Sequence, residues 1–195
     1  MNRSILGRLV SIVAGIFICS GMGMAAEFSA DMIQTGENIH NKGRLYVKGD
    51  KIRQEINAGY KQIVIERPDK DLVWTIDPVE KTYMKVTDAI IRGIDDPRAR
   101  ERLKSLSTSK QPTKETINGY LCTKRQWVTK KKPARTLTEW TSDKLKFILK
   151  IVISQPYNER VIEYKNIKLE PVPDSLFELP KGYQQVIPPA MPVSQ

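Results

Sequence analysis

The sequence predicts a mainly β protein of the α+β class, in which an antiparallel sheet curls around one short helical insertion. Two observations predict this fold class. Short runs of alternating apolar and polar residues recur along the chain and are separated by turns containing glycine, proline and asparagine. A helical pattern is found once, near the middle of the chain. Roughly nine or ten strands with one helical insertion fit such a sheet.

The first half of the sheet is predicted from alternation and from turn residues. Residues 28–32 alternate apolar with polar side chains and begin the first strand. Gly49 followed by Asp50 forms a two-residue turn with glycine first, which indicates a hairpin between the runs on either side. Pro78 presets φ for the first corner of a type I turn. The predicted strands of this half are 28–32, 44–48, 51–56, 62–66, 71–76 and 82–86.

The helical insertion is predicted directly after the sixth strand. Residues 87–94 place apolar side chains on one side over about two turns. Asp96 and Pro97 then provide an N-cap and a first helical residue for a second segment. Leu103 and Leu106 mark the apolar side of that segment, and the charges between them are typical of a solvated helix face.

Strands resume after a polar connector, residues 107–114. Asn118 followed by Gly119 is the strongest short hairpin signal in the chain, because both residue types accept the positive φ angles of a type I′ turn. The predicted strand at 147–154 carries four apolar side chains on one face. The predicted strands of this half are 115–117, 120–129, 136–141, 147–154 and 160–169.

Residues 1–26 have the organisation of a cleaved signal peptide. Arg3 and Arg8 give a positive start, an apolar run follows at 9–19, and small residues end the segment at Ala26. The apolar run is shorter than the ~20 residues that a membrane-spanning helix needs. We therefore expect an exported protein that is cleaved close to Ala26.

The mature product is expected to be a soluble monomer. Lipid attachment at Cys19 is disfavoured because Ile18 stands where that processing needs a small residue. Residues 27–186 then form one domain, and residues 187–195 form a proline-rich tail that is expected to be mobile. Cys122 is the one cysteine left after cleavage, so no internal disulfide is expected.

The sequence argues against an enzyme. His40 is the only histidine and lies in a predicted turn, and the isolated Cys122 has no histidine partner near it in sequence. No glycine-rich phosphate loop follows a strand. Two nominal carboxylate pairs are present, and turn formation explains the first of them better than catalysis. The pairs are Asp77 with Glu80, and Glu139 with Asp143. No metal and no cofactor are predicted.

A basic loop is the main charged feature of a chain with net charge +10. One interpretation is docking to anionic lipid headgroups or to an acidic partner. The other is a solvated hairpin loop that resists edge aggregation. Nucleic acid is a poor partner for an exported protein, although the charge alone would permit it. The docking residues are Lys130, Lys131, Lys132 and Arg135, clustered around Pro133.

Six short motifs follow one another along the mature chain. They are FSAD at 28–31, KGRLYVK at 42–48, KIRQE at 51–55, VWTIDP at 73–78, KTY at 81–83 and DSLFELPKGY at 174–183. Taken in order, these motifs resemble the periplasmic lipoprotein-carrier superfamily, whose LolA-like members sort lipoproteins to the outer membrane. Within it the chain is most similar to a sister family of unassigned function. The resemblance implies a periplasmic location and an open, curved antiparallel half-barrel whose concave apolar face is covered by helices.

The resemblance also implies a function and a set of site residues. The carrier shelters acyl chains of a lipoprotein in its concave cavity and passes them to an acceptor. Arg53 corresponds by its motif to the arginine that latches the lid of the empty carrier. The apolar wall that binds lipid is predicted to include Leu45, Val47, Ile52, Ile63, Ile65, Trp74, Ile76, Leu149 and Ile151.

Two functions remain open at this point. In the first, the protein is a non-catalytic periplasmic carrier or chaperone that binds an acyl chain or a lipidated protein in a concave apolar cavity. In the second, the same apolar residues pack as an ordinary core. The protein is then an envelope interaction module that recruits an anionic or protein partner through its basic loop.

Overall fold

In the computed structural model, residues 27–86, 104–105, 107–130 and 132–187 are described. Thirteen strands of this part of the chain form one sheet, joined by hairpin turns and two short 3-10 helices, Pro68–Lys70 and Asp174–Phe177. The strands are β1 (Phe28–Gly36), β2 (Ile39–Lys48), β3 (Lys51–Asn57), β4 (Lys61–Arg67), β5 (Leu72–Asp77), β6 (Thr82–Val86), β7 (Ser107–Ser109), β8 (Thr113–Ile117), β9 (Tyr120–Thr129), β10 (Thr136–Ser142), β11 (Ile148–Gln155), β12 (Asn158–Lys168) and β13 (Gln184–Gln185).

The strand order is β13-β6-β5-β4-β3-β2-β1-β12-β11-β10-β9-β7, and β8 pairs with β9 beside β7. Neighbouring strands are antiparallel except β13, which pairs in parallel with β6. The pairing of β1 with β12 joins the first and the second half of the chain in the middle of the sheet. The sheet is curved and open, so the predicted fold class is confirmed.

The predicted strands are present, but several boundaries differ. β1 and β2 are longer than predicted, because they pair with each other from Phe28 opposite Val47 to Gly36 opposite Ile39. β7 lies in the predicted polar connector and is held to β9 by backbone hydrogen bonds. Such bonds require no apolar side chains, so the sequence pattern does not predict this strand. Most of the predicted helical region, residues 87–103 and 106, lies outside the described residues, as do the signal peptide 1–26 and residues 188–195 of the predicted tail.

The hairpin between β8 and β9 has the predicted turn. Asn118 and Gly119 have φ angles of 51° and 83°, which are the positive values that a type I′ turn requires. The Asn118 side chain also donates from Nδ2 to the backbone carbonyl oxygen of Tyr164 at 2.9 Å. The hairpin is thereby fixed to β12, three strands away in the sheet order.

The main core is a cluster of apolar side chains contributed by both halves of the sheet. Phe147 packs edge-on against Phe28 with ring centroids 5.4 Å apart, and against Tyr164 at 5.6 Å. Edge-to-face pairs of this kind add to the stabilisation from area burial. Cys122 is buried in the same cluster, so its structural role matches that of a small apolar residue.

Candidate ligand-binding faces of the sheet

The nine predicted wall residues lie on two opposite faces of the sheet. Strand register decides this, because directly paired residues point to the same face and successive residues alternate. Leu45 pairs with Gln54, which pairs with Val64, so these three side chains share one face. We call it the Leu45 face, and it carries Leu45, Val47, Ile52, Leu149 and Ile151 of the predicted set.

The remaining four predicted wall residues share the opposite face, which we call the Ile65 face. Ile65 pairs with Arg53 on one side and Trp74 on the other, and Ile63 pairs with Ile76. The predicted set therefore does not form one continuous wall. The reason lies in β4, where three consecutive β-branched aliphatic residues make both faces of the strand apolar. The sequence pattern therefore does not determine which of these side chains points to which face.

The Ile65 face is covered by the chain's own C-terminal segment, residues 172–186. Phe177 and Val172 are buried against Ile65 and Ile76, with 0 to 2% of each residue exposed. The partly buried side chains that complete this cluster are Tyr46, Ile63, Trp74, Tyr83, Leu176, Leu179 and Tyr183. The protein's own C-terminal segment therefore covers the four predicted wall residues of this face.

Two arginines hold the C-terminal segment to the sheet. Arg53 donates from Nη1 to the carbonyl oxygen of Leu176 at 3.0 Å. Arg67 donates to the carbonyl oxygen of Phe177 at 3.2 Å and to the Glu178 carboxylate. The resemblance predicted that Arg53 latches a helical lid. Among the described residues, Arg53 bonds to the C-terminal segment through the Leu176 carbonyl oxygen. Any contact with residues 87–97 lies outside the described part of the chain.

An outer row of charges reinforces the segment. Lys48 and Lys51 each lie 2.9 Å from a different carboxylate oxygen of Asp174. The hydrogen bonds from Lys48 and then from Lys51 lower the pKa of Asp174 to about 2. At the other end of the row, Lys70 lies 3.4 Å from Glu178. Beyond these charges, β13 adds a short parallel pairing to β6.

The Leu45 face has a different character on β3 to β6. Gln54, Gln62 and Glu66 point to this face and are at least 94% buried, next to Val64 and Met84. Val64 and Met84 are buried but belong to neither cluster of the described residues. We call these five residues the polar patch. Sequence reasoning missed it, because polar residues that alternate with apolar ones normally indicate the solvent-facing side of a strand.

One atom of the polar patch stands out. The Oε1 atom of Gln62 is buried and accepts no hydrogen bond from the described residues. Thr82 pairs with Asp77 on the neighbouring strand, and its buried Oγ1 atom likewise has no hydrogen-bond partner among the described residues. A buried acceptor that lacks a donor costs about 1–3 kcal/mol, so natural proteins seldom keep one without a reason.

The five predicted wall residues on the Leu45 face lie in the main core. Leu45, Leu149 and Ile151 are between 0 and 2% exposed and belong to the same cluster as Phe28 and Tyr164. Val47 and Ile52 complete the predicted set in that cluster. These residues therefore belong to the main core, whereas Val64 and Met84 of the polar patch belong to neither cluster of the described residues.

Three of the four nominal catalytic carboxylates bond to a turn backbone or to a nearby side chain. Asp77 accepts hydrogen bonds from the backbone N–H groups of Val79 and Glu80 at 2.9 and 3.0 Å, which is the turn role that the sequence indicated. Glu139 lies 3.5 Å from Lys104, whereas Asp143 pairs with Lys114 and accepts from Thr123 at 2.8 Å. The exposed His40 contacts the carbonyl oxygen of its neighbour Ile39.

The environment of Cys122 disfavours a reactive thiolate. Burial raises the pKa of the Cys122 thiol, which disfavours the thiolate form. Across the described ranges, His, Cys, Asp and Glu residues form no group of three that could hold a metal ion. An open cavity of about 500 Å³ lies at the β8–β9 turn, where Tyr120, Leu121 and Asp143 are among its lining residues. None of the nine predicted wall residues lines that cavity.

The basic loop joins β9 to β10 at one end of the sheet. Lys130, Lys132 and Arg135 are exposed, and Lys131 lies outside the described residues. The base of the loop is closed by two hydrogen bonds. Thr129 donates its N–H to the carbonyl of Arg135 at 2.9 Å, and Arg135 donates its N–H to Oγ1 of Thr129 at 2.8 Å. In the described part of the chain, no helix is long and apolar enough to cross a membrane.

The chain is similar to known proteins in its fold. No protein-family model matches it, and no curated protein matches its sequence. An uncharacterized conserved protein from Thermus thermophilus is similar in structure, with a TM-score of 0.57 and 12% identity over 84% of this chain and 91% of that one. A chain of the Pseudomonas aeruginosa MucA/MucB complex matches with a TM-score of 0.54 and 11% identity over 78% of this chain.

The chain spans 56% of the MucA/MucB chain that it matches. Similar structures also include a LolA superfamily protein from Nitrosomonas europaea, 12% identical over 79% of this chain and 90% of that one, with a TM-score of 0.40. The two matches with TM-scores above 0.5, the Thermus thermophilus protein and the MucA/MucB chain, show a similar fold. At these identities the similarity concerns the fold alone.

Proposed function

We propose that the protein is a non-catalytic exported carrier that binds the acyl chain of a lipid or of a lipidated protein on the Leu45 face of its sheet. The observation that carries the proposal is the polar patch, with the unpaired Oε1 atom of Gln62 among buried apolar side chains. Ligand sites in proteins are mostly apolar, with a few polar groups that orient the ligand. The polar patch supplies such polar groups, and buried apolar residues of the same face lie beside it.

The chemistry of the patch indicates which part of a ligand it would contact. Val64 and Met84 offer apolar surface suited to an acyl chain, and Gln62 Oε1 requires a hydrogen-bond donor. An amide N–H or a hydroxyl next to an acyl chain supplies that donor, as in an N-acylated peptide. The Ile65 face is less suitable, because the C-terminal segment already fills it.

The second candidate is the interaction module with a filled core. The main core favours it, because the five predicted wall residues on the Leu45 face are packed by other described side chains. The fold comparison is compatible with this candidate, since the MucA/MucB structure is a complex of two proteins. In this case a protein partner would bind an outer surface, and no acyl chain would enter the fold.

Substitution of Gln62 by leucine separates the two candidates. Replacing an unpaired buried amide by an apolar side chain of similar size should leave the free energy of unfolding unchanged or raise it by about 1 kcal/mol. A carrier should nevertheless lose affinity for a fluorescent N-acyl peptide by about tenfold, because each tenfold change corresponds to about 1.4 kcal/mol, the scale of one hydrogen bond.

The matched control is Gln184→Leu, which makes the same change at an exposed position on β13. It should leave both binding and stability unchanged. Mass spectrometry of lipids extracted from the natively purified wild-type protein provides an independent measurement. If the wild type takes up no acylated probe and carries no lipid, the carrier function is wrong and the interaction module replaces it.

A further inference from the structure

The end of the sheet that carries the basic loop also presents an exposed aromatic side chain. Tyr157 lies in the turn between β11 and β12 and is 100% exposed. Its backbone has a φ of 70°, a left-handed conformation that holds the residue at the tip of the turn. The sequence places Tyr157 in the connection between the predicted strands 147–154 and 160–169, but it does not show how far the side chain is exposed.

Strand pairing places this turn next to the basic loop. Thr136, the first residue after the loop, pairs with Val128 on one side and with Ser154 on the other. β11 then ends at Gln155, which pairs with Asn158 across the turn. The β9–β10 loop and the β11–β12 turn are therefore neighbours at the same end of the sheet.

The two neighbouring segments carry a strong excess of positive charge. Residues 130–135 and 155–160 contain five basic residues and one acid, Glu159. The Glu159 carboxylate accepts a hydrogen bond from Ser154 at 2.9 Å, and this acid lies at the side of the turn. Lys130, Lys132 and Arg135 are exposed on the adjoining loop.

We propose that this end of the sheet docks the protein on a membrane surface rich in anionic phospholipid headgroups. Lys130, Lys132 and Arg135 contact the phosphates, and Tyr157 enters the headgroup region. Basic residues close to such a surface are attracted to it, and tyrosine is favoured at that depth because its ring is apolar and its hydroxyl is polar. An exposed aromatic side chain beside a basic loop fits a lipid surface better than an acidic peptide, which offers no layer for the ring to enter.

This docking surface is distinct from the polar patch, so it does not depend on the proposed acyl-chain binding. The test is co-sedimentation of the full mature chain with vesicles of phosphatidylcholine, with or without phosphatidylglycerol. The wild type should bind at least tenfold more strongly to the phosphatidylglycerol vesicles. Raising the salt from about 0.1 M to about 1 M should remove that preference, because the Debye length falls from about 10 Å to about 3 Å.

Two variants test the two parts of the surface. Changing Lys130, Lys131, Lys132 and Arg135 together to glutamine should lower binding at least tenfold. Tyr157→Ser should lower it several-fold without changing the salt dependence, and Tyr157→Trp should restore it. The matched control changes four exposed lysines elsewhere to glutamine, with the same loss of net charge, and should retain the binding of the wild type. The control positions are Lys144, Lys146, Lys168 and Lys181.

Three outcomes would overturn the proposal. One is equal loss of binding in the control variant, which would assign the attraction to net charge alone. Another is equal binding of the wild type to vesicles with and without phosphatidylglycerol. The third is complete competition by inorganic phosphate at constant ionic strength, which would indicate a site for free phosphate instead of a lipid surface. Thermal unfolding of every variant should match the wild type, because all the changed side chains that the structure describes are exposed.

Discussion

Arg67 on β4 donates a hydrogen bond from Nη1 to the backbone carbonyl of Phe177 at 3.2 Å, although 110 residues separate the two in sequence. The guanidinium also bonds both carboxylate oxygens of Asp69, at 2.7 and 2.8 Å, and contacts the Glu178 carboxylate. The hydrogen bonds to Asp69 and then to Glu178 raise the pKa of Arg67. One buried side chain thus joins the end of a central strand to the C-terminal segment.

Arg67→Ala should lower the free energy of unfolding by about 2 kcal/mol. The substitution leaves the Phe177 carbonyl without its donor and leaves two carboxylates without their cation. Both carboxylates retain contact with water, which keeps the loss below that of a fully buried pair. Arg67→Lys should not restore stability, because one ammonium group cannot reach all the partners that the planar guanidinium bonds at once. Urea denaturation measures both variants.

Lys70→Ala is the control for the Arg67 variants. Lys70 meets the same Glu178 carboxylate at 3.4 Å, but its side chain is half exposed. Exposed ion pairs of this kind contribute little, so the change in stability should stay within about 0.5 kcal/mol. If Arg67→Ala and Lys70→Ala lowered the free energy of unfolding equally, burial of the guanidinium would not explain the contribution of Arg67 to stability.

Asp174 should make stability depend on pH in the acidic range. Its pKa in the folded protein is about 2, below its ordinary value of 3.8, because Lys48 and Lys51 donate to the carboxylate. A lowered pKa means that the carboxylate stabilises the fold above pH 3.8, and that this contribution is lost as the pH falls towards 2. Asp174→Asn should therefore be less stable than wild type at pH 6, and the difference should vanish near pH 2.

The measurement is the unfolding midpoint of both proteins at several pH values between about 2 and 6. High salt should reduce the difference at pH 6, since the pair is exposed and therefore screened. A constant difference over the whole pH range would show that the variant acts through packing or chain entropy and not through the charge of Asp174.

The sequence predicted the strands well because each needs only its own alternation and turns, but it could not predict which face each strand presents. Ile63, Val64 and Ile65 are apolar in succession, so only pairing with β3 and β5 reveals that Val64 points away from its neighbours. Pairings such as Met32 with Tyr164 join residues far apart in the chain. Local sequence patterns cannot predict the register of such long-range pairings.

The candidate site was predicted only in part for a related reason. The motif that ends in Tyr183 contributed to the resemblance, but its role in covering the Ile65 face follows from the position of Phe177 against β4 and β5. Gln54 and Gln62 have polar or charged neighbours at Arg53, Glu55 and Lys61, and no local pattern marks either glutamine as buried. Their burial depends on what packs over the sheet, which the alternation of a strand does not specify.

Phe177→Ala should detach the C-terminal segment from the Ile65 face. The Phe177 side chain is fully buried, and replacing a buried phenylalanine by alanine costs about 3–5 kcal/mol. Trp74 lies in the same cluster and should become more accessible to water, which would shift its fluorescence to longer wavelength. The half-buried Leu176 provides the comparison, and Leu176→Ala should cost less. A Phe177→Ala protein with unchanged fluorescence would show that the segment stays in place without its aromatic anchor.

Gly43 on β2 should tolerate no side chain. A Cβ atom at this position would lie 2.3 Å from the backbone oxygen of Glu55 on β3 and 2.7 Å from the Met32 side chain. Because the nearer obstacle is backbone, relief requires the paired strands to separate. Gly43→Ala should therefore lower the free energy of unfolding by about 1–3 kcal/mol, and adding Met32→Ala should not recover it.

Gly36→Ala is the matched control for this steric argument. A Cβ atom at Gly36 would lie 3.0 Å from the backbone oxygen of Glu159, which a small shift at the end of β1 relieves. The loss of stability should be clearly smaller than for Gly43→Ala when both are measured by urea denaturation. If Met32→Ala rescued Gly43→Ala fully, the methionine and not the β3 backbone would be the obstacle. The close approach of β2 to β3 would then not be the reason for glycine at this position.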